Sequence, residues 1–325
     1  PISGGIVEYV DRTFGKNVSY ITGWFLALGN GILCPWEAIA ISTLVSDMFG
    51  DMLPFLRSVK LYTIMGADVY LFPTIIALGF ACYVIFLNFK GASSAAKLQA
   101  FLTKALLGGM LLAMAISFVK GGPHNILPAF GQVDGAGSST SATNMFAGIV
   151  SVLVMTPFFY AGFDTIPQQA AEGLDWNKFG KVISMALLAA GGFYMICIYS
   201  FGTIIPWSDF VKSSVPALAC LRDINMFLYV IMLVIATLGP MGPMNSFYGA
   251  TSRIMLAMGR KGQLPEKFAE IDPKSGAPKM ANILLACLTI VGPFLGKKML
   301  VPLTNVSALA FIFSCTMVSF ACLRM

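Results

Sequence analysis

Long apolar runs, separated by short polar stretches marked by glycine or proline, organise this chain from end to end. An amphipathic lead-in occupies the first 18 residues, and apolar spans follow at 19–46, 69–89, 98–119, 145–171, 181–205, 224–258, 280–296 and 301–323. A bilayer core is crossed by about 20 apolar residues in helical form. The pattern therefore predicts an all-α polytopic membrane protein. The intervening stretches, such as Gly121-Gly122-Pro123 and Gly135 to Thr143, read as loops.

One span departs from the pattern. After the apolar run Met145 to Met155 comes Thr156-Pro157-Phe158-Phe159-Tyr160-Ala161-Gly162-Phe163-Asp164-Thr165-Ile166-Pro167. Proline removes an amide donor and clashes with the preceding turn. Backbone groups freed at membrane depth are tolerated where they are buried in protein or face a cavity, and a carboxylate there is costly and usually functional. The break over 156–167 thus predicts a binding site. Glycine at 162 opens backbone conformations closed to other residues, and an unwound turn offers amides and carbonyls to the charged ends of a zwitterion.

Composition agrees with the span pattern: 57% of residues are hydrophobic and 11% charged, against about 25% charged in soluble domains. The net charge of +6 resides in short loops and does not point to nucleic acid. Six of the seven cysteines (Cys34, Cys82, Cys197, Cys287, Cys315, Cys322) lie in apolar runs and are expected to be buried thiols. Cys220 alone is near a loop, so no disulfide framework is expected. The chain opens Pro1-Ile2-Ser3-Gly4-Gly5 without a basic leader, and reads as a piece of a longer chain.

Basic residues orient the spans. One set of loops carries Arg12, Lys16, Lys90, Lys97, Lys178, Lys181, Arg253, Arg260, Lys261, Lys267, Lys274, Lys279 and Arg324; the other carries Arg57, Lys60, Lys120, Lys212, Arg222, Lys297 and Lys298. The richer set marks the cytoplasmic side, which puts residues 1 and 325 in the cytoplasm of a multi-pass plasma (inner) membrane protein.

Three stretches resemble the amino acid–polyamine–organocation family of permeases. The first is Pro1-Ile2-Ser3-Gly4-Gly5 with Phe14-Gly15 and Gly23-Trp24. The second is Phe158 to Glu172, similar to the family's broken sixth helix. The third is Ser252-Arg253 with Ala257-Met258-Gly259-Arg260-Lys261-Gly262-Gln263-Leu264-Pro265 and Gly276-Ala277-Pro278, similar to the loop after the eighth helix. The resemblance implies an inverted five-helix repeat transporter fold with an incomplete first repeat. Residues 1–119 would be the remainder of that repeat, from the end of helix two to helix five. Residues 120–144 would be an extracellular loop, and 145–325 the second repeat, helices six to ten. The first helix and the last two would lie outside the sequence.

The same resemblance assigns roles. Phe158 becomes the aromatic lid over the substrate and Asp164 the acidic gate, with Ala161, Gly162 and Phe163 forming the break. A structural alternative is that the prolines merely kink a helix and Asp164 binds a neighbouring amide. Asn30 resembles a substrate-contacting position; a helix–helix hydrogen bond is its other reading. Lys104 lies about 9 Å into its span at 1.5 Å per residue. It either snorkels to the interface or, by resemblance, fills the place of a sodium ion and couples transport to protons. Glu37, about 25 Å along its span, pairs with a cation, lines the vestibule or carries a proton. Asn245 and Ser246 follow the Gly-Pro steps of Gly239-Pro240-Met241-Gly242-Pro243. They serve close helix packing or an ion-like site near Lys104.

No hydrolase, metalloprotease or phosphate-binding motif occurs, and the single histidine, His124, has no companion ligands, so neither an enzyme nor a metal or cofactor site is expected. The expectation is a secondary transporter of amino acids coupled to protons, working by alternating access in a lipid bilayer. An amino acid or polyamine exchanger of the same fold and a non-transporting sensor are the alternatives. A homodimer is compatible with the family reading.

Overall fold

The computed structural model describes residues 5–126, 142–165, 179–206 and 224–324, with Asp209, Leu218, Leu221 and Arg222. Among them, six helices are long and apolar enough to cross a membrane: Lys16–Phe49, Leu71–Lys90, Ser93–Lys120, Gly180–Gly202, Met226–Arg260 and Lys297–Arg324. Two shorter apolar helices, Phe146–Tyr160 and Lys279–Phe294, complete the pattern of spans read from the sequence.

In chain order the principal elements are α1 (Ile6–Phe14), α2 (Lys16–Gly31), α3 (Leu33–Leu44), β1 (Lys60–Ile64), β2 (Ala67–Tyr70), α4 (Leu71–Lys90), α5 (Ala92–Lys120), α6 (Ala142–Tyr160), α7 (Phe179–Gly202), α8 (Met226–Leu238), α9 (Met241–Arg260), α10 (Lys279–Val291) and α11 (Leu300–Arg324). They form two compact units that interleave along the chain. One holds residues 1–102, 157–183 and 238–325; the other holds 103–156 and 184–237.

In the first unit, α2 and α3 run nearly end to end and α3 continues into a widened π turn, Val45–Phe49. The 34 residues of Lys16–Phe49 span about 51 Å at 1.5 Å per residue. Around this axis pack α4, α9, α10 and α11. Small residues set the spacing. A Cβ at Gly29 would lie 3.3 Å from Ala310 Cβ and 3.5 Å from the backbone N of Phe311, so α2 and α11 meet almost backbone to backbone. One apolar cluster joins Cys34, Ala38 and Ile41 to Ala77, Ala81 and Val84 of α4, with Met244 and Tyr248 of α9 and Leu285 of α10. A second joins Ile6, Val7 and Val10 of α1 to Leu26 and Ala27, and to Ile254, Met255 and Met258.

In the second unit, Gly109 of α5 sits under Ile235 and Met232. Past the ends of α5 and α7, Asn125 Nδ2 donates to the carbonyls of Thr203 at 2.8 Å and Ile204 at 3.1 Å. Thr203 Oγ1 donates to the Ser117 carbonyl at 3.3 Å.

Three sequence expectations change. The span at 69–89 begins as a strand. β1 and β2 form an antiparallel hairpin with Tyr62 opposite Val69 and Ile64 opposite Ala67. Its turn, Met65-Gly66, has positive φ at both positions, the geometry that suits a tight hairpin. Next, only the first of the two Gly-Pro steps interrupts the 224–258 span, between α8 and α9. Pro243 lies in the first turn of α9, where the missing amide needs no intrahelical partner. Last, among the six described cysteines only Cys34 is buried; Cys82, Cys287 and Cys322 are exposed. An apolar span thus places a thiol on its outward face as readily as in the core. Cys220 and Pro167 lie outside the described residues.

Candidate functional site

The break in α6 falls later than Pro157. The helix runs through that proline to Tyr160, and the chain then tightens: Ala161 N–H donates to the Phe158 carbonyl at 3.1 Å and Thr165 N–H to the Gly162 carbonyl at 3.1 Å. Gly162 has φ +119°, which a side chain rarely adopts. So glycine, rather than proline, ends the helix. Thr165 Oγ1 also donates to the Gly162 carbonyl, at 2.6 Å.

This turn aims Asp164 inward. Its side chain is 1% exposed. Asn30 Nδ2 of α2 donates to Asp164 Oδ2 at 2.7 Å, and Gly162 N–H donates to Oδ1 at 3.2 Å. A carboxylate only accepts, and burying one without donors is costly; these two donors hold it, and its remaining lone pairs can take another. Asn30 is itself 1% exposed. Ser307 of α11 fixes the neighbouring residue by donating from Oγ to the Gly29 carbonyl at 2.8 Å.

Aromatic rings flank the turn. Phe158 packs on Trp36 of α3, with centroids 5.4 Å apart and planes at 58°. Trp36 Nε1 donates to the Leu300 carbonyl at 3.0 Å and to Thr304 Oγ1 at 2.9 Å, which locks the indole to α11. On the other side Phe163 stands edge-on to Phe311 at 5.7 Å. The structure thus brings together Asn30, Phe158, Ala161, Gly162, Phe163 and Asp164. Trp36, Phe311 and Ser307 join them, and sequence reading missed those three. Ser307 and Phe311, four apart on α11, share a face of that helix, and Trp36 lies on α3; only the fold brings the three to one turn.

The other sequence-predicted residues lie elsewhere. Glu37, on α3, is 7% exposed, so it does not line an open vestibule in this structure; among the described residues its carboxylate has no hydrogen-bond or ion-pair partner. Asn245 is part of a four-helix tether. Its Oδ1 accepts from Asn88 Nδ2 at 2.9 Å, while its Nδ2 donates to the Ala95 carbonyl at 3.0 Å and to Gln99 Oε1 at 3.3 Å. Asn282 Nδ2 of α10 donates to the Asn88 carbonyl at 3.4 Å. Ser246 is half-buried one position on, and Lys104 is exposed on α5, in the second unit.

Outside the spans, charge gathers where α1 meets the segment after α9. Lys261 Nζ lies 2.6 Å from Glu8 Oε2 and 2.5 Å from Asp11 Oδ2, and Arg12 Nε lies 2.8 Å from Glu8 Oε1. Burial pushes the Glu8 carboxyl up, but Lys261 and Arg12 together outweigh it and hold the group below its ordinary range. Burial pulls Lys261 down, and its bonds to Asp11 and Glu8 outweigh that and hold its ammonium above the ordinary lysine range. No group of three or more His, Cys, Asp or Glu that could hold a metal ion occurs among the described residues.

Comparison with known proteins gives one consistent result. A family model described as "Amino acid permease" matches residues 1–325. The branched-chain amino acid permease BcaP of Bacillus subtilis is 23% identical over 319 residues, covering 95% of this chain and 65% of the relative. The cystine/glutamate transporter of Homo sapiens is 25% identical, covering 90% of this chain and 55% of the relative. The general amino-acid permease GAP1 of Saccharomyces cerevisiae is 25% identical, covering 84% and 45%. The chain therefore spans about half to two-thirds of the length of these curated relatives.

Proposed function

The chain belongs to the amino acid permease family, and from that premise we propose that it serves a secondary active transporter that moves amino acids by alternating access. The observation that carries this reading is the hydrogen bond from Asn30 to Asp164. It joins an unwound turn at membrane depth to the facing helix, and such irregular backbone is tolerated where it serves a site.

In this reading the substrate ammonium is recognised by the Asp164 carboxylate and by carbonyls of the turn, and Asn30 completes the polar contacts. Phe158, resting on Trp36, covers the substrate and moves aside to admit it. The spans then rock about the site, as alternating access requires. The relatives' names range over branched-chain amino acids, cystine and glutamate, and amino acids in general, so the substrate class stays at amino acids. The finer part of the proposal is proton coupling, with Lys104 as its candidate residue. Asn245 and Ser246 support the fold around α9 rather than the coupling step, because Asn245 is already committed to Asn88, Ala95 and Gln99.

The test is counterflow into proteoliposomes of the full-length permease, screened with pooled labelled amino acids. Saturable counterflow that Asp164→Asn cuts at least tenfold supports the reading. Saturable binding without flux of any amino acid would instead identify a sensor. If Lys104→Ala retains pH-dependent uptake, the coupling role is excluded while transport stands.

A further inference from the structure

A polar cavity lies in the first unit, at the end of the α2–α3 axis opposite α1. It has a volume of about 410 Å³, inside the range of about 300–1,000 Å³ typical of small-molecule sites. Its lining comes from the end of α3 and the π turn after it, from Arg57, from the β1–β2 hairpin with the first turn of α4, and from the turn between α10 and α11. They are fastened together. Tyr62 Oη of the hairpin donates to the Phe294 carbonyl at 2.5 Å. Gly296 sits so close to the hairpin that a Cβ there would lie 2.9 Å from Ile64 Cγ2. Arg57 Nε donates to the Ser46 carbonyl at 2.8 Å and ties the segment after α3 back onto the helix end.

The chemistry of the walls divides cleanly. Ile39, Val69, Pro73 and Pro293 are the apolar part of the lining, here called its floor. Ser42, Thr43 and Ser46 give three hydroxyls, and among the described residues none of them has a hydrogen-bond partner. By contrast, the buried Thr22, Ser117, Thr237 and Thr289 each donate to the carbonyl four residues back. Charge completes the cavity. Asp68 is committed to Lys60 at 2.6 Å and to Thr63 at 2.7 Å. Among the described residues the Asp47 carboxylate is held by Lys297 alone, at 3.3 Å, and the lysine side chain is 49% exposed. A loose, exposed pair of that kind contributes about 0–1 kcal/mol and opens at little cost.

We propose that this cavity is a second binding site, for a free amino acid with an apolar side chain. The zwitterion inserts into the Asp47–Lys297 pair, its ammonium on Asp47 and its carboxylate on Lys297 and the hydroxyls of Ser42, Thr43 and Ser46. One weak ion pair becomes two, and the side chain covers the apolar floor. A simple anion is disfavoured by the two wall carboxylates, and a simple cation by Lys297 and Arg57. The site shares no residue with the Asp164 turn, so the inference does not depend on the transport reading.

The test is equilibrium binding of tritiated L-leucine to the full-length permease in lipid nanodiscs, in an Asp164→Asn background that disables the first site. Saturable leucine binding is expected to remain and to weaken at least tenfold on adding Asp47→Asn, Lys297→Gln or the cavity-filling Ser42→Trp. Leucinamide and 4-methylpentanoate, each lacking one charge, are expected not to compete. The inference is overturned if Asp164→Asn protein shows no saturable leucine binding, or if the residual binding ignores all three substitutions. Because Asp47→Asn and Lys297→Gln add no volume, a folding failure of Ser42→Trp leaves the test intact. Leucine uptake by the unmodified protein is read separately; its absence bears on transport and leaves the cavity result standing.

Discussion

Asn30 and Asp164, 134 positions apart in sequence, are joined by a 2.7 Å hydrogen bond between two side chains that are each 1% exposed. Removing the donor leaves a buried carboxylate with one remaining partner, the Gly162 amide. A hydrogen bond to a charged group contributes about 1.5–3 kcal/mol. Asn30→Ala is expected to lower the melting temperature in detergent and cut uptake at least tenfold. Asn30→Asp, which sets two carboxylates face to face, is expected to be worse. Equal uptake in Asn30→Ala and the unmodified protein would remove Asn30 from the site.

Gly162→Ala separates backbone strain from steric crowding. A Cβ at this position would have only Phe247 Cζ nearby, at 3.9 Å, which is ordinary contact, whereas φ +119° is closed to alanine. Backbone strain then decides the outcome, at about 1–3 kcal/mol. The turn is expected to straighten toward helix, with loss of uptake beyond the loss of stability. Gly148→Ala, on α6 with open space around it, is the control and is expected to change neither.

Asn245 predicts a pattern of non-additivity. Asn245→Leu strips partners from Asn88, Gln99 and the Ala95 carbonyl, and one orphaned buried polar group costs about 1–3 kcal/mol. Thermal melts should show Asn245→Leu to be strongly destabilised. The double variant Asn88→Leu with Asn245→Leu should be less stable than Asn245→Leu by far less than Asn88→Leu alone costs, because contacting residues couple. Additive losses would mean that the two amides act independently.

The Lys261 cluster sets a pH window for stability. The Glu8 carboxyl is held below its ordinary value of 4.5, so its contribution is present above that value and is lost as pH falls through the lowered one. Lys261 is held above its ordinary 10.5, so its contribution is complete below that value and is lost as pH rises through the raised one. The clamp is therefore intact across neutral pH. Lys261→Met is expected to lower the melting temperature throughout that range and to shrink the fall seen on acidification below pH 4.5. An unchanged acid limb would show that Glu8 draws nothing from Lys261.

Much of this was legible in the chain. Periodicity cannot be mistaken when a run of about 20 apolar residues must satisfy its own backbone in lipid, so the spans were readable. The break at Gly162-Phe163-Asp164 was readable because glycine and a carboxylate are each anomalous there. What was not legible depends on contacts between distant residues. Pro157 looked like the helix end, but it is tolerated inside α6 and the conformation of Gly162 decides instead. Trp36 has no role read from the sequence; its indole N–H meets Leu300 and Thr304 only in the fold. Asn245 looked available to an ion, because its three partners come from α4 and α5. The hairpin at 60–70 was hidden since each strand is only a few residues long and β2 runs straight into the apolar start of α4.

The unwound turn holds itself together without its long-range partner. Thr165 bonds the Gly162 carbonyl twice, through its amide and its hydroxyl, and Ala161 bonds Phe158. The link to Asn30 can therefore be traded for a different donor while the turn keeps its shape and the carboxylate keeps its count of partners. In the proposed transporter, an ammonium group that took the place of Asn30 on Asp164 would leave these local bonds of the turn intact.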